Sequence, residues 1–137
     1  MSNKIEIVLI EDDTDDVELL QEALDSRGVS YHITLLKDGS AAKTFLRKPH
    51  LVPDIVIMDF NLPRVHGREV IGCIRSNAQF SNVPILVLST SSSKEDIAYA
   101  YEAGADQYLI KPSTIESIND TVRIIVQMAS AGQFQDL

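Results

Sequence analysis

The chain has 137 residues, a net charge of −8, and hydrophobic and charged fractions of 45% and 23%. That length suits one domain with a buried core, and the balance argues against both a disordered chain and a bundle of membrane-spanning helices. The acidic excess, with no basic cluster denser than the one holding Arg64 and Arg68, argues against direct nucleic-acid binding.

Taken in order, short apolar runs alternate with longer segments of helical period, the pattern of repeated βα units around a parallel sheet. A strand over 5–10 ends in Glu11-Asp12-Asp13. A helix over 15–27 follows, with Asp15 and Glu18 close to a capping box and Val17, Leu20 and Leu24 on one stripe. A strand over 31–36 leads to a helix over 39–47, and Leu51-Val52-Pro53 leads into a strand over 54–58 that stops at Asp59 in the string "DFNLP". A helix over 65–77 carries the single cysteine, Cys73, which cannot form an internal disulfide and reads as a buried, inert thiol suited to a reducing cytoplasm. A strand over 84–88 ends in Ser89-Thr90, and a helix over 94–103 precedes a strand over 107–110 that ends in Lys111-Pro112. Gly28, Gly39, Gly67 and Gly104 fall at element boundaries, where a left-handed backbone is expected.

The last helix, over 114–129, places Ile115, Ile118, Val122, Ile125 and Ala129 on one stripe and leaves Ile124, Val126 and Met128 off it. A broad buried face is one reading. The other is a helix apolar on two sides, with Ile124 and Met128 offered to a partner or a second copy. Residues 130–137 carry little pattern and are expected to fray. The whole is expected to be one domain over 1–137 with its core at about 5–129, and neither a bilayer span nor a secretory signal is expected.

Four strands thus end in complementary groups: acids, a hydroxyl and an amine. In open parallel sheets, ligands gather beyond the carboxyl ends of the strands. Carboxylates converging there would repel one another without a cation among them. The candidate ligands are all oxygens, which suits Mg²⁺ rather than Zn²⁺. A hard cation beside an isolated carboxylate, with a hydroxyl and a lysine near, is suited to phosphoryl transfer onto that carboxylate.

The strings "VLIEDD", "IVIMDFNLP", "PILVLST" and "GADQYLIKP" resemble, in order and spacing, the receiver domains of two-component response regulators, from residue 5 to about 127. The resemblance implies a flavodoxin-like α/β fold: a doubly wound, five-stranded parallel sheet in the order 2-1-3-4-5 with helices on both faces. It implies Asp59 as phosphoacceptor, Mg²⁺ held directly by Asp12 and Asp59, through water by Glu11 and by the backbone carbonyl of Asn61, and Lys111 as the phosphate-binding lysine. Ser89 matches the switch hydroxyl and Tyr108 the aromatic ring that moves inward when that hydroxyl shifts. The Lys111–Pro112 bond is cis in many relatives. Asp13 extends the acid group or starts the first helix.

The spellings "EDDTDDVELLQEAL", "NLPRVHGREV" and "VLSTSSSKEDI" resemble stand-alone regulators of phytochrome-type sensor histidine kinases. The expected partners are therefore such a kinase or a phosphotransfer protein, an unidentified downstream protein, and a second copy through 94–129. Without an output domain the effect would pass through another protein, in the cytoplasm, with slow loss of the phosphoryl group. Two other functions fit the same architecture. An aspartyl-phosphate phosphohydrolase commonly has a second acid two residues after its nucleophile, but Asn61 stands there and cannot shuttle protons. A flavodoxin-like mononucleotide binder needs a glycine- and hydroxyl-rich phosphate loop, where "EDDTDD" would repel phosphate.

Overall fold

The computed structural model describes residues 4–48 and 52–134, with side chains up to residue 131. Its elements run β1 (Ile5–Ile10), α1 (Thr14–Ser26), β2 (Tyr31–Leu36), α2 (Gly39–Leu46), β3 (Ile55–Met58), α3 (Gly67–Ser76), β4 (Ile85–Ser89), α4 (Lys94–Ala103), β5 (Gln107–Ile110) and α5 (Ile115–Phe134). All five strands are parallel, in the order β2-β1-β3-β4-β5. The Leu51 part of the lead-in to β3, and residues 135–137 of the tail, lie outside the described residues.

The central strands are apolar throughout because helices cover both faces. Every residue of β3 and β4 is buried. The period-2 geometry of a strand then splits the core in two. Ile7, Leu9, Ile55, Ile57, Leu86 and Leu88 pack with the buried faces of α1 and α5, and Val8, Ile10, Val56, Met58, Ile85 and Val87 pack with those of α2, α3 and α4.

Several expectations change at the ends of elements. Asp13, not Asp15, caps α1: its side chain accepts from the backbone N–H of Asp15 (2.9 Å) and Asp16 (3.2 Å), so the helix starts at Thr14. Of these four boundary glycines, Gly28 (φ 69°) and Gly104 (φ 125°) use the left-handed region, whereas Gly67 serves close approach, since a Cβ there would sit 2.5 Å from the carbonyl oxygen of Phe60. Arg64 turns the β3–α3 loop instead, with φ 71° and the N–H of Val65 donating to the carbonyl of Pro63 at 2.9 Å. α5 runs beyond residue 129, and Thr114 caps it by accepting from the N–H of Ser117 at 3.0 Å.

On α5 the stripe Ile118, Val122, Ile125 and Ala129 is buried, but Ile115, in the first turn, is 80% exposed. Met128 packs against the α1–α5 half of the core with Val126, which withdraws it from the outward face proposed for it and Ile124. Cys73 is half-buried rather than buried, on the side of α3 turned from the residues Val70, Ile71 and Ile74 that face the core.

Candidate functional site

Sheet register sets the site. Ile10 lies beside Met58, so the next residues, Glu11 and Asp59, leave adjacent strands at the same level, and the Asp59 N–H donates to the Ile10 carbonyl at 3.1 Å. On the other side Ser89 lies beside Ile110, and the Lys111 N–H donates to the Ser89 carbonyl at 2.8 Å. Four strand ends from distant parts of the chain therefore meet along one edge.

Carboxylate oxygens of Glu11, Asp12 and Asp59 lie within 4.8 Å of one another; Glu11 and Asp59 are buried and Asp12 is exposed. The Lys111 ammonium reaches into this group and contacts Asp16 Oδ2 at 2.6 Å, Glu11 Oε1 at 3.0 Å and Asp59 Oδ2 at 3.1 Å. Burial alone would lower the Lys111 pKa, but hydrogen bonds to Asp16, Glu11 and Asp59 outweigh it and hold it above the ordinary lysine value. Burial dominates at Glu11 and pushes its carboxyl up to about 7, with Lys111 opposing and Asp59 adding to the rise. One ammonium shared among several carboxylates leaves an excess of negative charge in a partly dry place. An all-oxygen donor set with that excess fits a hard divalent cation.

The expected site residues divide as follows. Glu11, Asp12, Asp59 and Lys111 are brought together. Asn61 is exposed, and its backbone N–H donates to Asp59 Oδ1 at 3.1 Å. Ser89 is fully buried, and its hydroxyl accepts from the N–H of Ser91 at 3.1 Å. Tyr108 is only 8% exposed, its ring is 6.3 Å from that of Phe60, and its hydroxyl donates to the Ser91 carbonyl at 2.8 Å. The ring expected to move inward already lies inside. Among the described residues no peptide bond is cis, so Lys111–Pro112 is trans.

Sequence reasoning missed three participants. Asp16 makes the shortest contact to Lys111, from the first turn of α1. Ser91 ties the site to α4: besides its bonds to Ser89 and Tyr108, its hydroxyl donates to Asp96 Oδ2 at 2.6 Å. Tyr101 on α4 accepts the backbone N–H of Tyr108 at 3.0 Å. Nothing in the local pattern marks Ser91 or Tyr101, because their partners lie in other elements.

Residues 7–123 match the response regulator receiver domain family. The chain is 32% identical over 117 residues to response regulator Rcp1 of Synechocystis sp., covering 82% of this chain and 80% of Rcp1. Its fold is similar to that of the phosphorylated cyanobacterial phytochrome response regulator RcpA (TM-score 0.79, 32% identity, 89% of this chain and 91% of that one). It is also similar to the receiver domain of sensor histidine kinase PA1611 from Pseudomonas aeruginosa PAO1, solved with a magnesium ion coordinated in its active-site cleft (TM-score 0.77, 28% identity, 93% and 98%). With a 2-1-3-4-5 parallel sheet and an acid cluster that can hold a divalent cation at its carboxyl edge, the chain belongs to the response regulator receiver family, the phosphoryl-accepting signalling domains of two-component systems.

Proposed function

We propose that Asp59 is the phosphoacceptor. The observation that carries this reading is the convergence of Asp59 with Glu11, Asp12 and the Lys111 ammonium at one strand edge. A carboxylate oxygen of Asp59 attacks phosphorus, a P–O bond to Asp59 forms, and the bond from phosphorus to the donor breaks with its electron pair leaving on the donor group. Glu11, Asp12 and Asp59 would hold Mg²⁺, which neutralises charge on the carboxylates and phosphoryl oxygens. Lys111 supplies N–H donors to the same oxygens. The donor is a histidine kinase or phosphotransfer protein, and similarity to Rcp1 and RcpA supports a phytochrome-type kinase in the cytoplasm.

Ser89, Tyr108 and Pro112 form the output side. Drawing the Ser89 hydroxyl toward the phosphoryl group would release the Ser91 N–H, and Ser91 also holds Tyr108 and α4. The signal then leaves through α4, β5 and α5 as one domain's output surface, where Tyr101, Ile110 and Ile115 are exposed, toward a second copy or a downstream protein.

Incubation with Mg²⁺ and acetyl phosphate, followed by intact mass measurement, tests the acceptor. The wild-type protein should gain one phosphoryl group, and Asp59→Asn should stay folded and gain none. Labelling of the variant at the wild-type level would remove Asp59 from the role.

A further inference from the structure

The three N–H groups of the Lys111 ammonium have three acceptors, Asp16, Glu11 and Asp59, and the shortest contact, 2.6 Å, is to Asp16. Two of these acceptors, Glu11 and Asp59, belong to the cation-binding triad; Asp16 does not. When Glu11 and Asp59 turn to a cation and a phosphoryl group, Asp16 remains the one carboxylate still available to hold Lys111.

Asp16 is built for that part. Its side chain is 36% exposed and stands outside the acid triad, whereas Glu11 is 6% exposed and lies within it. It is also fixed at its base, because its own N–H is tied to the Asp13 cap. The lysine side chain, 15% exposed, runs beside a cavity. A small, mostly apolar cavity of about 40 Å³ lies against Lys111 and Pro112, lined among others by Leu9, Leu20, Ile57 and Ile118. A four-carbon stem beside free space has rotamers to lose when its head is placed, so the head needs a fixed partner.

We infer that Asp16 is a positioning residue for phosphoryl transfer: it anchors the Lys111 ammonium from α1 so that the two other N–H groups point at the phosphoryl oxygens on Asp59. Asp16 touches neither cation nor phosphoryl group and acts only through Lys111. The inference rests on Asp59 being the acceptor.

The experiment measures phosphorylation by acetyl phosphate in saturating Mg²⁺ for the wild type, Asp16→Ala, Asp16→Asn, Lys111→Met and the double variant Asp16→Ala with Lys111→Met. Circular dichroism checks each fold, and calorimetric titration gives Mg²⁺ affinity. Asp16→Ala should lower the maximal rate roughly tenfold, the factor expected for one charge-assisted hydrogen bond, with Mg²⁺ affinity unchanged. Asp16→Asn keeps an oxygen acceptor and should recover most of the rate, and Asp16→Ala should change nothing in the Lys111→Met background. An undiminished rate in Asp16→Ala, an equal loss with and without Lys111, or an Asn variant no better than Ala would each overturn the inference. The contrast between Asp16→Ala and Asp16→Asn decides the matter even if Lys111→Met does not fold. Failure of the wild type to label, or labelling of Asp59→Asn, would instead overturn the acceptor assignment.

Discussion

The two edges of the sheet handle charge in opposite ways. At the amino edge acids have partners of their own: Glu6 meets the His32 ring at 2.9 Å, and Asp54 accepts the N–H of Glu6 at 2.9 Å. Arg75 there donates to the carbonyls of Gly104, Ser81 and Val83 and, at 2.8 Å, to Asp106, which also accepts the N–H of Ile85. At the carboxyl edge Glu11, Asp16 and Asp59 share the single ammonium of Lys111, and Asp12 joins them. Completed pairing is what a scaffold needs, because an unpaired buried charge costs several kcal/mol. A deficit of positive charge held in place by a rigid sheet is what a cation site needs, and a cation bound there would supply the positive charge that a phosphoryl group requires.

Breaking the amino edge should give the largest stability loss. Arg75→Ala removes one side chain, 22% exposed, that satisfies four acceptors and fills space against Gly104, and should cost about 3 kcal/mol by urea unfolding. Acetyl phosphate labelling of the folded fraction should be unchanged. A stable variant that labels poorly would erase the distinction between the edges.

At the carboxyl edge the sign reverses. The Glu11 pKa is near 7 in the folded protein against 4.5 for the free group, with burial the main cause. Above pH 7 the folded state holds a buried charge that the unfolded chain hydrates freely. As pH falls from about 7 toward 4.5, the folded state takes the proton first and that cost is relieved. In the presence of a chelator, Glu11→Gln should therefore be more stable than the wild type by about 2 kcal/mol at pH 8, with the gap narrowing as pH falls from 7 and closing below 4.5. A gap that does not change with pH would show that burial is not what raises this carboxyl. Saturating Mg²⁺ should shrink the gap at pH 8.

How far the sequence discloses this division depends on which partner a residue has. The strands were legible because β3 and β4 are apolar runs buried on both faces, and their ends named Asp59 and Ser89 directly. Glu11, Asp12 and Lys111 were legible for the same reason, since parallel register brings strand ends level. The fold order followed from the family resemblance, not from periodicity. Ile115 was misplaced because a helical stripe gives the direction of a side chain but not what covers it, and the packing of Met128 agrees with the broad buried face rather than the two-sided helix. Asp16, Ser91 and Tyr101 were missed because each acts through a contact with a distant element. The inward placement of Tyr108 is likewise a packing outcome, set by Phe60 and the Ser91 carbonyl.

The smallest expected effect tests an acid that stands beside the site yet serves the scaffold. Asp13 follows Glu11 and Asp12 directly, but its carboxylate is used by the N–H groups of Asp15 and Asp16, and it falls outside the acid triad that could hold a cation. Asp13→Ala should cost about 1 kcal/mol, the usual loss for an N-cap, and Asp13→Ser should restore most of it because a hydroxyl can accept the same bonds. Mg²⁺ affinity should stay within about twofold of wild type in both, since the exposed Asp13 carboxylate is taken up by the cap and exposed charges couple weakly through solvent, while the backbone N–H that reaches Glu11 is kept in either variant. The labelling rate of Asp13→Ala should fall less than that of Asp16→Ala, because losing the cap loosens the base of Asp16 without removing its carboxylate. If Asp13→Ala instead weakens Mg²⁺ as much as Asp12→Asn does, three consecutive acids share the cation and the boundary between scaffold and site lies one residue further into α1.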